Sequence, residues 1–266
     1  MRSLTQRLFN RVKMMFFPGP VGAGIYKVWN RNKQHFICPL CDYHGPFMDS
    51  LYGMDLFSMN SEKHEHCPKC GSNERARLQY LVVEKLSRTY QLSNMSLLHF
   101  APEKALQPYL RKIFRQYDTA DLENPRVNYQ ADLLNLPFGD QSYDFVFASH
   151  VLEHIENDRK ALSEIRRVLK PGGMAVLPVP IVAVKTIEYP EPNPEECGHV
   201  RAPGPDYFER YAEYFSKVEV FCSSDFPKEY QLFNYEDRSN WPTEKMPRRK
   251  AMAGDRHLDY VPVCFA

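Results

Sequence analysis

From Leu97 onward, apolar segments typical of β-strands alternate with segments typical of amphipathic helices. The strand-like segments include 97–100 (LLHF), 143–149 (YDFVFAS) and 174–179 (MAVLPV). Apolar residues at helical spacing fill the intervals, as with Ala161, Leu162 and Ile165. Strands joined by helical crossovers lie parallel in one sheet, with the helices covering its faces. The pattern therefore predicts an α/β fold with a mostly parallel sheet.

The remaining elements follow from breaker residues and apolar spacing. We expect a helix from about Asn73 to Leu86 and another after Pro102, because proline favours a helix start. Further predictions are strands at 116–122, 132–136, 218–223 and 260–265, a helix ending before Pro171-Gly172-Gly173, a helix near 206–215, and a long proline-rich loop over 185–206.

The length and composition are those of a globular protein. The chain has 266 residues, of which 43% are hydrophobic and 25% charged, so a disordered or fibrous protein is disfavoured. This length suits one α/β domain with a small appendage. No apolar run approaches the ~20 residues of a membrane span, and no signal peptide is recognisable. We expect a cytoplasmic protein without a transmembrane segment, and peripheral membrane contact stays open.

Charge is distributed unevenly along the chain. Residues 1–37 carry seven Lys or Arg residues and no Asp or Glu, whereas the rest of the chain has a net charge of −6. Within the arm 1–30, Leu4, Leu8, Val12 and Met15 have helical spacing, and Pro18-Gly19-Pro20 follows. This basic amphipathic helix can pack on the body of the protein, contact an anionic membrane or contact nucleic acid.

Four cysteines form two Cys-x-x-Cys pairs within residues 31–75. Cys38 and Cys41 precede Cys67 and Cys70 by a 25-residue separation. Two such pairs are typical of a closed tetrahedral zinc site, here a small zinc-ribbon module. A disulfide or redox pair is the alternative interpretation. The nearby residues His35, His44, His64 and His66 could replace a cysteine as a ligand. Because four cysteines are present, the simpler interpretation is that these histidines are solvated or only surround the ligands.

Several motifs together carry a family resemblance over roughly residues 95–223. They are DLLNLPF (132–138), YDFVF (143–147), HVLEHI (150–155) and VLKPGG (168–173). In this combination the chain resembles class I, type-11-like S-adenosylmethionine-dependent methyltransferases. The resemblance implies a Rossmann-like, mostly parallel seven-stranded sheet, a methyltransferase domain over 76–266, and S-adenosylmethionine as cofactor beside the structural Zn²⁺.

The resemblance also implies where the cofactor lies. Ligands of open parallel sheets bind beyond the carboxyl ends of the strands. Asp121 ends the second strand and is expected to accept the ribose hydroxyls, while Asp132 and Leu133 occupy the adenine position. The first loop lacks the usual glycines, but Ala101 is small and Glu103 can meet the cationic methionine end. The full set of cofactor candidates is Phe100, Ala101, Glu103, Asp121, Asp132, Leu133 and Ser149.

Histidines supply the catalytic candidates. Methyl transfer to oxygen or nitrogen often needs a base for the acceptor proton. His150 and His154 follow the fourth strand directly, and His150 is the best candidate for a base or a substrate contact. His199, in a His-x-Arg motif with Arg201, is expected to face the substrate cleft. The three other cysteines, Cys197, Cys222 and Cys264, are interpreted as packing or loop residues.

The leading functional hypothesis is methyl transfer to an oxygen or nitrogen of a small molecule, a glycan or a lipid-linked intermediate. The alternative within the same enzyme class is methylation of ribosomal or transfer RNA, with the zinc module and basic arm binding phosphates. A third hypothesis is a binding scaffold that keeps the fold without catalysis. Fold alone does not choose between these substrates.

Overall fold

The computed structural model describes residues 19–52, 60–244 and 246–266. The helix expected over 4–17 lies outside these ranges. The first described helix, α1, covers Pro20–Trp29 and begins with a proline at its first turn. Its outer face exposes Val21, Val28 and Trp29, which are 79%, 65% and 65% exposed.

A seven-stranded sheet forms the centre of the molecule. In chain order its strands are β5 (Ser96–Phe100), β6 (Gln116–Asp121), β7 (Tyr129–Gln130), β8 (Tyr143–Ala148), β9 (Leu169–Val176), β12 (Lys217–Cys222) and β13 (Tyr260–Phe265). Across the sheet their order is β12-β13-β9-β8-β5-β6-β7. The pairs from β9 through β7 are parallel, and β13 is antiparallel to both of its neighbours. This confirms the predicted Rossmann-like, mostly parallel seven-stranded fold.

Four further α-helices follow α1 along the described parts of the chain. They are α2 (Glu74–Thr89), α3 (Gln107–Ile113), α4 (Asp158–Val168) and α5 (Glu209–Ala212). Asn73 and Asn157 begin α2 and α4, because each side chain accepts the N–H of the residue three positions on. Leu162, Ile165 and Val168 of α4 are fully buried against the sheet. Apolar spacing therefore predicted α4 for the right physical reason.

Four predicted segments differ in detail from the structure. The segment 132–136 is a turn closed by an Asp132–Asn135 bridge, because the side chain of Asp132 accepts the Leu134 N–H and bends the chain. The 185–206 segment contains a hairpin of β10 (Ile187–Asn193) and β11 (His199–Ala202). Pro171-Gly172-Gly173 belongs to β9 itself, and the helix near 206–215 is a 3-10 turn (Pro205–Phe208) followed by the short α5.

The cysteine-containing segment consists of two small antiparallel hairpins. Strands β1 (Phe36–Cys38) and β2 (Tyr43–Gly45) form one, and β3 (Met48–Tyr52) pairs with β4 (Asn60–His66). Arg77, fully buried on α2, donates to the carbonyls of Glu65 and Ser72 at 2.8 and 2.7 Å. The same guanidinium donates to the Gln231 carbonyl. These bonds tie the hairpins to α2 and to the 231 segment.

In the described ranges of the chain, none of the helices has the length and apolar composition needed to cross a bilayer.

Candidate functional site

The sheet changes direction between β5 and β8. From β5 the chain continues outward through β6 and β7, then returns to add β8 on the other side of β5. At such a switch point the loops leaving the two central strands separate and open a crevice at the carboxyl ends. Phe100 and Ala148 end these strands, and the predicted residues Ala101, Glu103, Ser149 and His150 follow them directly.

The loop after β5 contains no glycine and carries the carboxylate of Glu103. Ala101 has φ +48°, in the left-handed region, and its N–H donates to the Ala120 carbonyl at 2.8 Å. His99 lies with Nε2 2.7 Å from Glu103 Oε2. Burial acts most strongly on Glu103 and raises its pKa, but hydrogen bonds with His99 and Ser149 lower the pKa below its ordinary value. Glu103 is therefore a carboxylate at neutral pH.

Ser149 connects this loop to α2. Gln79, which is buried, donates from Nε2 to Ser149 Oγ at 2.8 Å. Its Oε1 atom is buried and makes no hydrogen bond with the described part of the chain. A buried amide oxygen without a partner costs free energy unless a ligand or water satisfies it. Gln79 thus adds a polar group on α2 next to the end of β8.

The carboxylate of Asp121 is half-buried at the end of β6. Its Oδ1 accepts the N–H groups of Glu123 and Asn124, both at 2.9 Å, and caps the turn. The Oδ2 atom takes no part in these bonds. Leu122 is 59% exposed beside it, while Leu133 is buried and Asp132 is exposed. A carboxylate next to an exposed apolar side chain offers both kinds of contact that a nucleoside needs.

His150 sits at the end of β8 in a strained conformation. Its φ is +54°, and its N–H donates to the Pro178 carbonyl at 2.9 Å. Nδ1 lies 3.3 Å from Glu153 Oε1, and Nε2 is buried without a hydrogen-bond partner in the described residues. Burial acts most strongly on Glu153 and raises its pKa, but the hydrogen bond and charge of His150 lower the pKa overall. The pair resembles an orienting carboxylate with an imidazole base.

His154 and His199 meet edge to face next to this pair, with ring centroids 4.6 Å apart. His154 is exposed and His199 is partly buried. Burial lowers the pKa of His199 to about 4, with smaller effects from Glu153, His154, Arg249 and His150. At neutral pH the ring of His199 is therefore uncharged and keeps a lone pair for a proton, a substrate or a metal.

Arg201 fixes the turn that carries these groups. It is 2% exposed and donates to the carbonyls of Leu152, Ile155 and Glu156 at 2.6, 2.7 and 2.9 Å. Its Nε donates to Glu188 at 3.0 Å. The sequence motif suggested a residue facing the cleft, but this side chain binds the backbone of the HVLEHI segment. Its role is to position that segment.

The four cysteines of the two pairs come together in one cluster. Their sulfur atoms all lie within 4.8 Å of one another, and both the Cys38–Cys70 and Cys41–Cys67 pairs are 3.6 Å apart. A disulfide has its sulfurs about 2.05 Å apart, so these are four separate thiols. A tetrahedron with Zn–S bonds of about 2.3 Å has sulfur–sulfur edges of about 3.8 Å. The cluster therefore has the size needed to hold zinc.

The two pairs share one backbone geometry. The Asp42 N–H donates to the Cys38 carbonyl at 2.9 Å, and the Gly71 N–H donates to the Cys67 carbonyl at 2.8 Å. Asp42 and Gly71 both have positive φ, +55° and +74°. At position 71 the sequence signals the reversal, because glycine adopts positive φ readily. It gave no sign that Asp42 performs the same reversal in the first pair.

Two other polar residues near the site were not predicted from the sequence. Gln79 and Asp259 are buried polar residues, and Asp259 Oδ2 makes no hydrogen bond in the described ranges. Burial raises the pKa of Asp259, with His150 and Arg75 as smaller, opposing influences. Gln79 interrupts an apolar face of α2, and that interruption was the available signal. Asp259 precedes β13, and its proximity to His150 follows only from the fold.

Known proteins match the central part of the chain. Residues 105–177 match the family model described as methyltransferase domain, which is a little more than a quarter of the chain. A demethylmenaquinone methyltransferase of Staphylococcus epidermidis is 47% identical over 58 residues, covering 22% of this chain and 24% of that protein. A protein of the same name from Staphylococcus saprophyticus is 28% identical over 137 residues, 51% of each chain. The chain thus spans between a quarter and a half of these relatives.

Solved structures match over a larger part of the chain but with low identity. The S-adenosylmethionine-dependent methyltransferase of Mesorhizobium loti has 13% identity and a TM-score of 0.47, covering 69% of this chain and 96% of that one. The family match includes Asp121, Asp132 and the HVLEHI segment, and it ends at Leu177. Residues 105–177 of this Rossmann-like chain are therefore similar to the methyltransferase domain family.

Proposed function

We propose that the protein is an S-adenosylmethionine-dependent methyltransferase with its cofactor across the carboxyl ends of β5, β6 and β8. The observation that carries this proposal is the arrangement of Glu103, Asp121 and His150 at the switch point of the sheet. Each sits directly after, or at the end of, a neighbouring parallel strand. The similarity of residues 105–177 to methyltransferase domains supports the same activity.

We assign the nucleoside part of the cofactor to the β6 side of the crevice. Asp121 Oδ2 can accept the ribose hydroxyls while Oδ1 keeps its turn in place. Adenine then lies between the exposed side chain of Leu122 and the turn of Asp132 and Leu133. That turn is held by Glu164, whose Oε2 accepts the Leu136 N–H at 3.1 Å. A carboxylate accepting two hydroxyl donors is a strong, charge-assisted arrangement.

We assign the methionine part to the β5 side. S-adenosylmethionine carries no phosphate, so the phosphate cradle of a glycine-rich loop is not required. The carboxylate of Glu103, fixed by His99, can face the cationic amino or sulfonium group. Phe100, Ala101 and Ser149 form the surrounding backbone and side-chain surface at the ends of the two central strands.

His150 is the residue to which we assign proton removal. When bound, S-adenosylmethionine supplies an electrophilic methyl group on sulfur, which becomes a thioether after transfer. Nε2 of His150 is buried and makes no hydrogen bond in the described part of the chain, and we assign to it the proton of an acceptor oxygen or nitrogen that packs against it. Glu153, bonded at Nδ1, holds the ring orientation and stabilises the positive charge that the ring gains. His154 and His199 are placed to contact the acceptor.

The acceptor class that fits is a small molecule, a glycan or a lipid-linked intermediate methylated on oxygen or nitrogen. The relatives matched in sequence are named for a small molecule, demethylmenaquinone. The net charge of the chain is +1, which gives no general attraction for a polyanion such as RNA. We therefore place the small-molecule and glycan acceptors ahead of nucleic acid.

We further propose that Cys38, Cys41, Cys67 and Cys70 bind one structural Zn²⁺. Two sulfur pairs at 3.6 Å suit a four-thiolate tetrahedron, which leaves no coordination position for a substrate. Ser72 Oγ lies 3.3 Å from Cys38 Sγ and 3.2 Å from Cys70 Sγ, where it can hydrogen-bond the thiolates. The carbonyl of Ser72 binds Arg77 on α2, so the zinc site supports the helix that carries Gln79.

Calorimetry with S-adenosylmethionine tests the cofactor assignment. We expect Asp121→Ala to weaken binding by about 1–3 kcal/mol, because the ribose loses a charged acceptor. Asp140→Ala is the matched control, since this exposed carboxylate precedes β8 and pairs with Arg167 at the other end of the sheet. Equal affinity in all three proteins would show that Asp121 does not bind the ribose, and no binding by the wild type would reject the proposed activity.

A further inference from the structure

Three side chains outside the cysteine cluster have the arrangement of a second metal site. Glu153, His154 and His199 each place one possible ligand atom within 4.8 Å of the other two. Glu153 and His154 lie in the turn after β8, and His199 begins β11 of the neighbouring hairpin. Residues from two separate segments of the chain thus converge on one point at the carboxyl end of the sheet.

Buried atoms without partners show that the cluster is incomplete as it stands. Glu153 is 1% exposed, and its Oε2 makes no hydrogen bond in the described part of the chain. Nδ1 of His199 is also buried without a hydrogen-bond partner there. A buried carboxylate oxygen without a donor is costly. A cation bound between the three side chains removes that cost.

We propose that Glu153, His154 and His199 bind a divalent transition-metal ion. Two imidazoles and one carboxylate are a ligand set that suits first-row metals and leaves coordination positions open. Nδ1 of His150 lies 3.3 Å from Glu153 Oε1, where its N–H can donate to the carboxylate, as residues around a metal-binding carboxylate commonly do. This ligand set differs from the four-thiolate cluster, which leaves no coordination position free and favours softer metal ions.

The surroundings tolerate an added positive charge. Arg249 is a cation close enough to act on His199 electrostatically, and it forms a buried ion pair with Glu196. That carboxylate lies 3.9 Å from His199 Nδ1. The guanidinium is therefore neutralised before a metal binds. Arg201 donates to the backbone carbonyls of Leu152 and Ile155 on either side of Glu153 and His154. Two of the three ligands are therefore already positioned.

A free coordination position on the bound metal, next to the candidate base His150, would allow the site to bind the methyl acceptor. An oxygen atom of the acceptor can occupy that position and be held beside His150, a step that rests on the proposed methyl transfer. Metal binding itself does not depend on that reaction. The acceptor class that this favours is an oxygen donor, such as a hydroxyl or carboxylate of a glycan or small molecule.

Manganese titration tests the proposal on a chain that carries one equivalent of Zn²⁺, which the four thiolates bind first, with free Mn²⁺ followed by electron paramagnetic resonance. Mn²⁺ prefers oxygen and nitrogen ligands to thiolates, which separates this site from the cysteine cluster. We expect one Mn²⁺ per chain and at least about tenfold weaker binding in His154→Asn, His199→Asn and Glu153→Gln. His44→Asn is the control, because His44 forms an exposed pair with Asp42 at 3.1 Å and should leave binding unchanged.

His154→Asn decides the outcome because His154 is exposed and its replacement leaves the core intact. Circular dichroism verifies that each variant is folded. The absence of Mn²⁺ binding by the wild type, or unchanged binding by folded His154→Asn, would overturn the proposal. Calorimetry with S-adenosylmethionine on the same samples reports separately on the proposed activity. Failure to bind Mn²⁺ and failure to bind S-adenosylmethionine can therefore be distinguished.

Discussion

His99 Nε2 lies 2.7 Å from Glu103 Oε2, and Nδ1 of the same buried ring lies 2.8 Å from the Tyr117 hydroxyl. The ring therefore joins β5, β6 and the loop after β5 through side chains. The hydrogen bond from His99 thus fixes the Glu103 carboxylate in the loop after β5, which contains no glycine. We infer that hydrogen bonding through His99 does the positioning that backbone geometry performs in a glycine-rich turn.

The first prediction concerns Glu103→Gln. We expect this variant to bind S-adenosylmethionine about 1–2 kcal/mol more weakly, because an uncharged amide replaces the carboxylate that faces the cationic end of the cofactor. Calorimetry at neutral pH measures the difference. Glu84→Gln, which alters an exposed carboxylate paired with Arg88 on α2, should bind as the wild type does. Unchanged affinity in Glu103→Gln would separate Glu103 from the cofactor.

The second prediction concerns the left-handed backbone of Ala101, which has φ +48°. A side chain in this region costs about 1–2 kcal/mol, and glycine avoids the cost but loses more entropy on folding. We expect Ala101→Gly either to raise the free energy of unfolding or to lower it by less than about 1 kcal/mol. Ala76→Gly, inside α2, should lower it by about 1 kcal/mol or more. Urea unfolding of both variants tests this contrast.

Some of the site could be predicted from local sequence alone. The positions of Asp121, Glu103 and His150 at the carboxyl ends of parallel strands are predictable, because the ends of apolar strands are recognisable and parallel strands bring those ends together. The contacts that fix them were not predictable in the same way. His99 looked like part of a buried strand, and Gln79 like part of a helix face. Their roles depend on which strands and helices become neighbours, which spacing does not encode.

The third prediction concerns metal removal from the cysteine cluster. We expect Cys38→Ser combined with Cys67→Ser to lose the zinc of the wild type and to lower the free energy of unfolding by about 3–5 kcal/mol or more. Cofactor affinity should fall as well, because Ser72 and Arg77 connect the cluster to the helix of Gln79.

Elemental analysis, urea unfolding and calorimetry provide the measurements for this metal-removal test. Cys197→Ser is the control, since Cys197 is an exposed cysteine outside the cluster, and it should keep full zinc content. Full zinc content in the folded double variant would disprove a site made by these four residues. Loss of zinc with unchanged cofactor affinity would disprove the connection through α2.

The fourth prediction concerns pH. Hydrogen bonding to Arg167 lowers the pKa of Glu164 to about 2, outweighing burial, which raises it. Because the pKa is lower in the folded protein, the stabilisation is present above the ordinary pKa of about 4.5 and is lost as pH falls toward 2. Glu164→Gln should lower the free energy of unfolding by about 1–2 kcal/mol at neutral pH. Urea unfolding at decreasing pH should show this difference shrinking below pH 4.5.

The turn held by Glu164 also shows where sequence reasoning failed. The segment 132–136 was predicted to be a short strand. The structure bends it instead, because the Asp132 side chain and Glu164 accept the N–H groups of Leu134 and Leu136 that a strand would present to a neighbour. Short polar side chains that compete for backbone N–H groups favour turns over strands. The hairpin within 185–206 was missed because its prolines suggested a loop.

A crystal structure with S-adenosylhomocysteine tests the central claim most directly. The account predicts the ribose hydroxyls at hydrogen-bond distance from Asp121 Oδ2, the adenine between Leu122 and the turn of Asp132 and Leu133, and the amino-acid end beside Glu103. The sulfur should point toward His150. Density for the ligand at another place on the sheet, or a crevice that stays empty at saturating ligand, would contradict the account.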